Sequence, residues 1–390
     1  MKVYFVVKEP SERTINHFVS SLGNALQKQG CEVAYGLKLL WTDEVLGYDI
    51  IHFQWPEGLF GLFGHQVTDE ELKRVNQRLV WLKEHGKKLF YTCHNLKPHT
   101  NKNENLLHLY ELIYSNADYI HHLGNYSCEQ LKSKYPNARH VVIPHHIYDD
   151  VYSFSITREE ARNRLRLPGN KKIVLSFGKF RTERERNFVL EMQQALGRSV
   201  LFLMPGFYRE TLHTWNPKKL VPRLYHTLCY RLKGIQFSNE VIPDDMMQYY
   251  FCAADVVLIQ RLDILNSGNL PMAFHAGKVV VGPDVGNVGP LLRETSNFTF
   301  DPHDMRSAVS ALQNALETTS KGGENKTYAT EHWSSERIAA SLLKFYQQAL
   351  YRKYETGQGT FNQRSAAYLQ RSAVFAAMSG KRCGSDLPQH

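Results

Sequence analysis

Short β-rich runs alternate with helical patterns twice along this chain, with one pause between the two series. Val3–Val7 is a buried-type strand, and Ile15, Phe18, Val19, Leu22 and Leu26 then fall on one face of a helix that Gly30 stops. Glu32–Tyr35, Asp49–Phe53, Lys88–Cys93, Ala117–His121 and His140–Ile143 read as further strands. Leu72, Val75, Leu79 and Leu82 mark one intervening helix, and Leu106, Tyr110 and Ile113 another. The pattern halts at Pro144–Ser155 and resumes with strands at Lys172–Phe177, Val200–Met204, Ile235–Phe237, Asp255–Ile259 and Val279–Val281. Helices at Arg184–Leu196, Pro243–Ala253 and Leu270–Ala276 separate them. Such alternation requires a parallel sheet covered by helices on both faces. The fold class is therefore α/β, with two Rossmann-like domains facing a cleft and ligands at the carboxyl ends of the strands.

The length of 390 residues suits two or three domains. We expect one domain over 1–150 and a second over 151–333. A helix over 334–355 should cross back to the first, and 356–390 reads as a flexible tail. Arg209–Arg231, with Lys218, Lys219 and Arg223, is too long for a simple connection and reads as an insertion. No apolar run approaches the ~20 residues of a membrane helix. Met1–Val7 gives way at once to Lys8-Glu9, too short an apolar stretch for a signal peptide. A cytoplasmic protein is expected. Six cysteines form no Cys-x-x-Cys pair, so the spacing indicates neither a zinc site nor a disulfide framework. The net charge of +9 suits phosphate-bearing ligands or an anionic membrane surface. Without a zinc-finger or basic-zipper pattern, nucleic acid ranks last and is not expected as a partner.

Four places gather polar residues and glycines at strand ends. His94-Asn95-Leu96-Lys97-Pro98-His99 follows the strand ending at Cys93, where a titratable ring reaches the cleft rim. Phe177-Gly178-Lys179-Phe180-Arg181-Thr182-Glu183-Arg184 follows another, and two arginines three apart could grip one diphosphate. The bland reading pairs them with Glu183 and Glu185 on a solvated helix. Arg261 to Asn269 contains Asn266-Ser267-Gly268 opening a helix, which reads equally as an anion site or an ordinary N-cap. Gly282-Pro-Asp-Val-Gly286-Asn-Val-Gly289 matches neither phosphate-binding fingerprint.

In this order and spacing, these segments resemble the GT-B glycosyltransferases, in particular the large retaining group numbered family four, of the bacterial surface-polysaccharide type. DIIHFQWPE at Asp49–Glu57 resembles their HxHWPE segment, YTCHNLKPH at Tyr91–His99 their TVHNxxPH loop, and VVIPHHIY at Val141–Tyr148 their VIPHGNY. In the second half, FGKFRTER resembles FGxxRxxKG. RLDILNSG with the following AFHAGKVVVGPDVG resembles YRDILTSG…ALSFGRPVVAP. The resemblance implies a hexosyltransferase moving sugar from a nucleotide-sugar donor to a glycan or lipid-linked acceptor, with retention and without metal or cofactor. It implies that Arg181 and Arg184 hold the diphosphate and that His94 touches the donor sugar. Gly178, Asp263, Asn266, Ser267 and Gly268 would complete the donor site, with Asn95 and His99 on the acceptor side.

Three departures stand out. The paired glutamates of many members fall here on Ile264 and Met272, Glu9–Arg13 lacks their paired glycines, and Arg184 is followed by Glu185 where they carry glycine. A nucleotide-sugar epimerase of the same fold and an inactive glycosyltransferase-like binding subunit are the rival readings.

Overall fold

The computed structural model describes residues 1–11, 16–60, 65–98, 104–207, 233–238 and 242–355. His99, the basic segment at 209–231 and the tail at 356–390 lie outside the described residues.

The described residues form two six-stranded parallel sheets. The first comprises β1 (Lys2–Val6), β2 (Glu32–Tyr35), β3 (Ile50–Phe53), β4 (Lys88–Cys93), β5 (Tyr119–His122) and β6 (Arg139–Val142), in the order β2-β1-β3-β4-β5-β6. The second comprises β7 (Lys172–Leu175), β8 (Val200–Pro205), β9 (Ile235–Ser238), β10 (Val256–Leu258), β11 (Val279–Pro283) and β12 (Phe298–Phe300), in the order β12-β11-β10-β7-β8-β9. Each is a doubly wound sheet, as the alternation predicts. The order reverses between β1 and β3 in the first and between β7 and β10 in the second. Crevices at such switch points, beyond the carboxyl ends of the strands, are where doubly wound sheets bind ligands.

Central strands buried on both faces are mostly apolar, and a polar residue within them, such as His52 or Thr92, must find a partner inside. Val3 to Val6, Ile50 to Phe53, Leu89 to Cys93 and Val279 to Val281 are all buried. The helices that cover the sheets include α1 (Phe18–Lys28), α2 (Asp69–Glu84), α3 (Glu104–Asn116), α4 (Asn125–Lys132), α5 (Arg158–Arg164) and α6 (Glu183–Leu196), followed by α7 (Asp244–Ala253), α8 (Asn269–His275), α9 (Val288–Glu294), α10 (Met305–Glu317) and α11 (Gly322–Trp333). In α2, Val75, Leu79 and Leu82 turn inward on a stripe closed by the Thr68–Glu71 capping box. The sequence reading missed β12, α4, α5, α9 and α11.

The last helix, α12 (Ser335–Glu355), starts against the first half. Ser335 N–H donates to Asp149 Oδ1 at 3.0 Å, and Gln29 Nε2 donates to the Glu336 carbonyl at 2.8 Å. Its first turn is thus anchored where a helix crossing back would have to be. No described helix is long and apolar enough to cross a membrane.

Candidate donor site between the sheets

Loops on both sides of the second sheet's switch point carry polar residues. After β7, Ser176–Thr182 turns into α6; after β10, Ile259–Gly268 turns into α8. The first loop is pinned by the second: Gln260 Nε2 donates to the carbonyls of Phe177 (3.1 Å) and Gly178 (3.3 Å), and Asn269 Nδ2 to that of Phe177 (2.7 Å). Gly178 takes φ +94°, a backbone that a side chain would strain.

Arg261 and Arg181 meet here. Arg261 Nη2 donates to the Lys179 carbonyl at 2.9 Å, while its buried Nη1 has no hydrogen-bond partner among the described residues. Burial, followed by the like charge of Arg181, pulls the Arg261 guanidinium down to about 10, with Glu185 opposing. Arg181 is likewise lowered by burial, and Glu185 and Glu57 draw it back up. Glu185 is itself buried; its carboxylate accepts from the backbone N–H of Arg181 (2.7 Å) and Thr182 (3.2 Å), closing the capping box that starts α6. Two guanidiniums in mutual repulsion, one with an orphaned buried N–H group, form a ready receptor for an oxyanion.

Arg184 is placed differently. It is exposed, and its Nη2 lies 3.1 Å from the Pro302 carbonyl and 3.0 Å from His303 Nδ1, in the loop after β12. The structure therefore joins Arg181 to Arg261 and engages Arg184 elsewhere. Asp263 is exposed. Gly268 precedes α8 without a side-chain cap. Ser267 lines a small cavity with Pro144, His145, Leu270 and Trp333.

The first half contributes His94, Trp55 and Glu57. His94 is buried and stacks on Trp55, with centroids 4.0 Å apart at 17°. Its Nε2 lies 2.9 Å from Gln54 Oε1, an acceptor, so Nε2 carries the hydrogen and Nδ1 is left as a base. Burial, with His121, His145 and His52 around it, holds the ring neutral by pushing it well below the usual histidine range. Burial raises the Glu57 carboxyl; the Tyr110 hydroxyl, which donates to it, and Arg181 pull the other way. Asn95 braces this rim through its carbonyl, which accepts from Tyr114 Oη at 2.9 Å.

Asn266, expected among the donor contacts, has both ends of its amide engaged between the sheets. Its Nδ2 donates to the His94 carbonyl at 2.9 Å, and its Oδ1 accepts from Asn287 Nδ2 at 2.8 Å. Asn287 Oδ1 in turn accepts from the Ser127 N–H at 3.1 Å. Gly286 allows this approach: at φ +54°, a Cβ there would lie 2.3 Å from the Ile264 carbonyl oxygen. The glycine-rich turn thus serves close backbone packing. Asn266→Ala would strand the amide of Asn287 and the carbonyl of His94, and should cost about 1–3 kcal/mol of stability in urea unfolding. A loss below ~0.5 kcal/mol would mean the contact is replaceable by water.

Sequence reasoning missed the pairing of Arg261 with Arg181 and the reach of Glu57 toward them. The available signal was topological: both arginines follow the two strands that flank the second switch point.

No protein-family model and no curated protein matches this chain. Among solved structures, sucrose-phosphate synthase from Thermosynechococcus elongatus is similar over 90% of this chain and 99% of its own, at TM-score 0.67 and 15% identity. HepE from Anabaena in complex with UDP-glucose is similar over 89% and 100%, at TM-score 0.62 and 12% identity. WaaG, a glycosyltransferase involved in lipopolysaccharide biosynthesis, is similar over 87% and 98%, at TM-score 0.55 and 14% identity. The chain has the GT-B fold of glycosyltransferases.

Proposed function

We propose that this protein is a retaining, metal-independent hexosyltransferase that moves sugar from a nucleotide-sugar donor to a glycan or lipid-linked acceptor. The observation that carries the reading is the half-buried Arg261 guanidinium, whose buried Nη1 has no hydrogen-bond partner among the described residues, beside Arg181 at the switch point of the second sheet. Glycosyl transfer breaks the bond between the anomeric carbon and the diphosphate, so negative charge grows on the leaving oxygens. Guanidiniums already in place stabilise that charge without reorganisation, which is how electrostatic catalysis works. Neutral His94, with Nδ1 free to accept, would orient a sugar hydroxyl on the opposite rim. HepE with UDP-glucose bound supplies a chemical parallel on the same fold.

The domain assignment follows: residues 1–150 for the acceptor, 151–333 for the donor. Ser267, Gly268, Gly178 and Asp263 remain donor-side candidates, and Asn95 and His99 acceptor-side ones. A lipid-linked acceptor would bring the protein to the inner face of an anionic membrane, where each surface lysine or arginine adds roughly 1 kcal/mol.

The test is incubation with a panel of nucleotide sugars, with and without lipid-linked acceptors, read by mass spectrometry. Sugar appearing only on acceptor supports transfer. Epimerised donor without acceptor would replace this reading with the epimerase, and stable donor binding without turnover would replace it with the binding subunit.

A further inference from the structure

Away from the arginine pair, β5, α4 and β6 bring three metal-ligating side chains to one point. One atom each from His122, Cys128 and His140 lie within 4.8 Å of one another. His122 Nε2 is 2.8 Å from His140 Nδ1, and the two rings meet edge to edge, nearly coplanar at 16°, with centroids 5.1 Å apart. The remaining nitrogens are held from behind. His140 Nε2 lies 3.0 Å from the Tyr135 carbonyl, which can only accept, so that nitrogen carries the hydrogen and Nδ1 is bare. His122 Nδ1 lies 3.1 Å from Ser127 Oγ, and that hydroxyl has a second acceptor in the Gly124 carbonyl at 3.0 Å.

This is the outer arrangement that orients histidines on a metal, one ring nitrogen directed to the ion and the other hydrogen-bonded to a carbonyl or hydroxyl. We propose that His122 Nε2, His140 Nδ1 and Cys128 Sγ form a binding site for a zinc-class divalent cation, with a water in the fourth position. Two imidazoles and a thiolate are borderline-soft donors, which suit zinc and disfavour magnesium or calcium. The spacing His-x5-Cys-x11-His matches no zinc signature, since two strands and a helix are needed to assemble it.

Proton accounting closes. Without metal, His122 Nε2–H donates to His140 Nδ1. On binding, the His122 hydrogen moves to Nδ1 and donates to Ser127 Oγ, whose own hydrogen goes to the Gly124 carbonyl. Cys128 gives its thiol proton to solvent, so one proton is released per ion. To admit an ion at about 2.0–2.1 Å from each, the two facing nitrogens need to part from 2.8 Å to roughly 3.3 Å and both rings to tilt toward Cys128. Ser127 also receives Asn287 Nδ2 at 3.2 Å, so a bound ion would add a fixed point beneath the contact between the sheets.

The test uses the full chain, stripped with chelator and titrated with Co²⁺ as a spectroscopic substitute for Zn²⁺. We expect one Co²⁺ per chain, tetrahedral d–d bands, a thiolate-to-cobalt charge-transfer band, and loss of all three on adding Zn²⁺. Cys128→Ser, a near-isosteric change at a half-exposed helix position, should abolish the charge-transfer band while the other cysteines remain. His140→Asn should weaken binding more than the ~10–100-fold typical of losing an outer partner. Far-ultraviolet circular dichroism checks both folds, and if His140→Asn fails to fold, Cys128→Ser decides alone. Absence of the band in the natural chain, or its persistence in Cys128→Ser, would overturn the proposal.

Discussion

Replacing Arg261 by alanine is expected to lower turnover roughly 10²–10³-fold, about 3–4 kcal/mol of transition-state stabilisation, while the fold survives. The fold should survive because, among the described residues, the side chain contributes little to it: one hydrogen bond to the Lys179 carbonyl, set against a buried nitrogen with no partner there and repulsion from Arg181. Truncation relieves both penalties, so melting temperature should hold or rise. Arg181→Ala should lose activity similarly, and the double variant should fall short of the summed loss because both guanidiniums grip one group. Arg184→Ala is the control. With its guanidinium on the Pro302–His303 loop, it should stay within about threefold of the natural enzyme, below ~1 kcal/mol. Steady-state rates at saturating donor decide. A hundredfold loss in Arg184→Ala with Arg261→Ala nearly unaffected would move the phosphate clamp to Arg184.

The contrast between those two arginines shows how far the sequence could be read. Residues three apart share a face only inside a helix. Thr182 is the N-cap of α6, so Arg181 lies before the helix and Arg184 within it. The local rule that suggested a joint grip does not reach across that boundary. Arg181 and Arg261 are eighty residues apart, and only the pairing of β7 with β10 makes them neighbours. The two sheets were legible for the complementary reason: strands buried on both faces read as continuous apolar runs wherever they sit. β12 escaped because Phe298–Phe300 is only partly buried and its Phe-Thr-Phe offers no continuous apolar run, unlike the equally short but fully buried β10. α11 escaped because GGENKTYATEHW carries almost no apolar stripe, its hold on the core resting on Ala329 and Trp333. His94 could be found by its place after a strand, but the histidines around it could not be distinguished from surface residues until the fold buried them.

Those histidines set the second large effect, an acid collapse of the fold between pH 6.5 and about 4. His52, His94, His121 and His146 are buried and His145 is half-buried, and burial pushes every one of them below the usual histidine range. Neutrality is built into the hydrogen bonds. His121 Nε2 lies 2.8 Å from the Ile143 carbonyl and so carries hydrogen, leaving Nδ1 to accept from Thr92 Oγ1 at 3.2 Å; Thr92 then accepts from His52 Nε2 at 2.8 Å. Protonating His121 Nδ1 turns that nitrogen into a donor and costs the hydrogen bond it accepts from Thr92. The sign follows from linkage. The unfolded chain binds these protons near pH 6.5 and the native protein only near the depressed values, about 4 for His121 and His145. Their contribution is therefore complete above pH 6.5 and is lost as pH falls toward 4. Each such histidine adds a slope of roughly 1.4 kcal/mol per pH unit, so two of them remove on the order of 7 kcal/mol across the window. That is comparable to the whole stability of an ordinary domain, ~5–15 kcal/mol. Urea unfolding at pH 7.5, 6, 5 and 4.5 should show the midpoint falling steeply below pH 6.5, with His121→Asn flattening the slope by about one proton. A midpoint that stays level down to pH 5 would mean that the native protein protonates these rings in place, and that the His52–Thr92–His121 chain does not enforce neutrality.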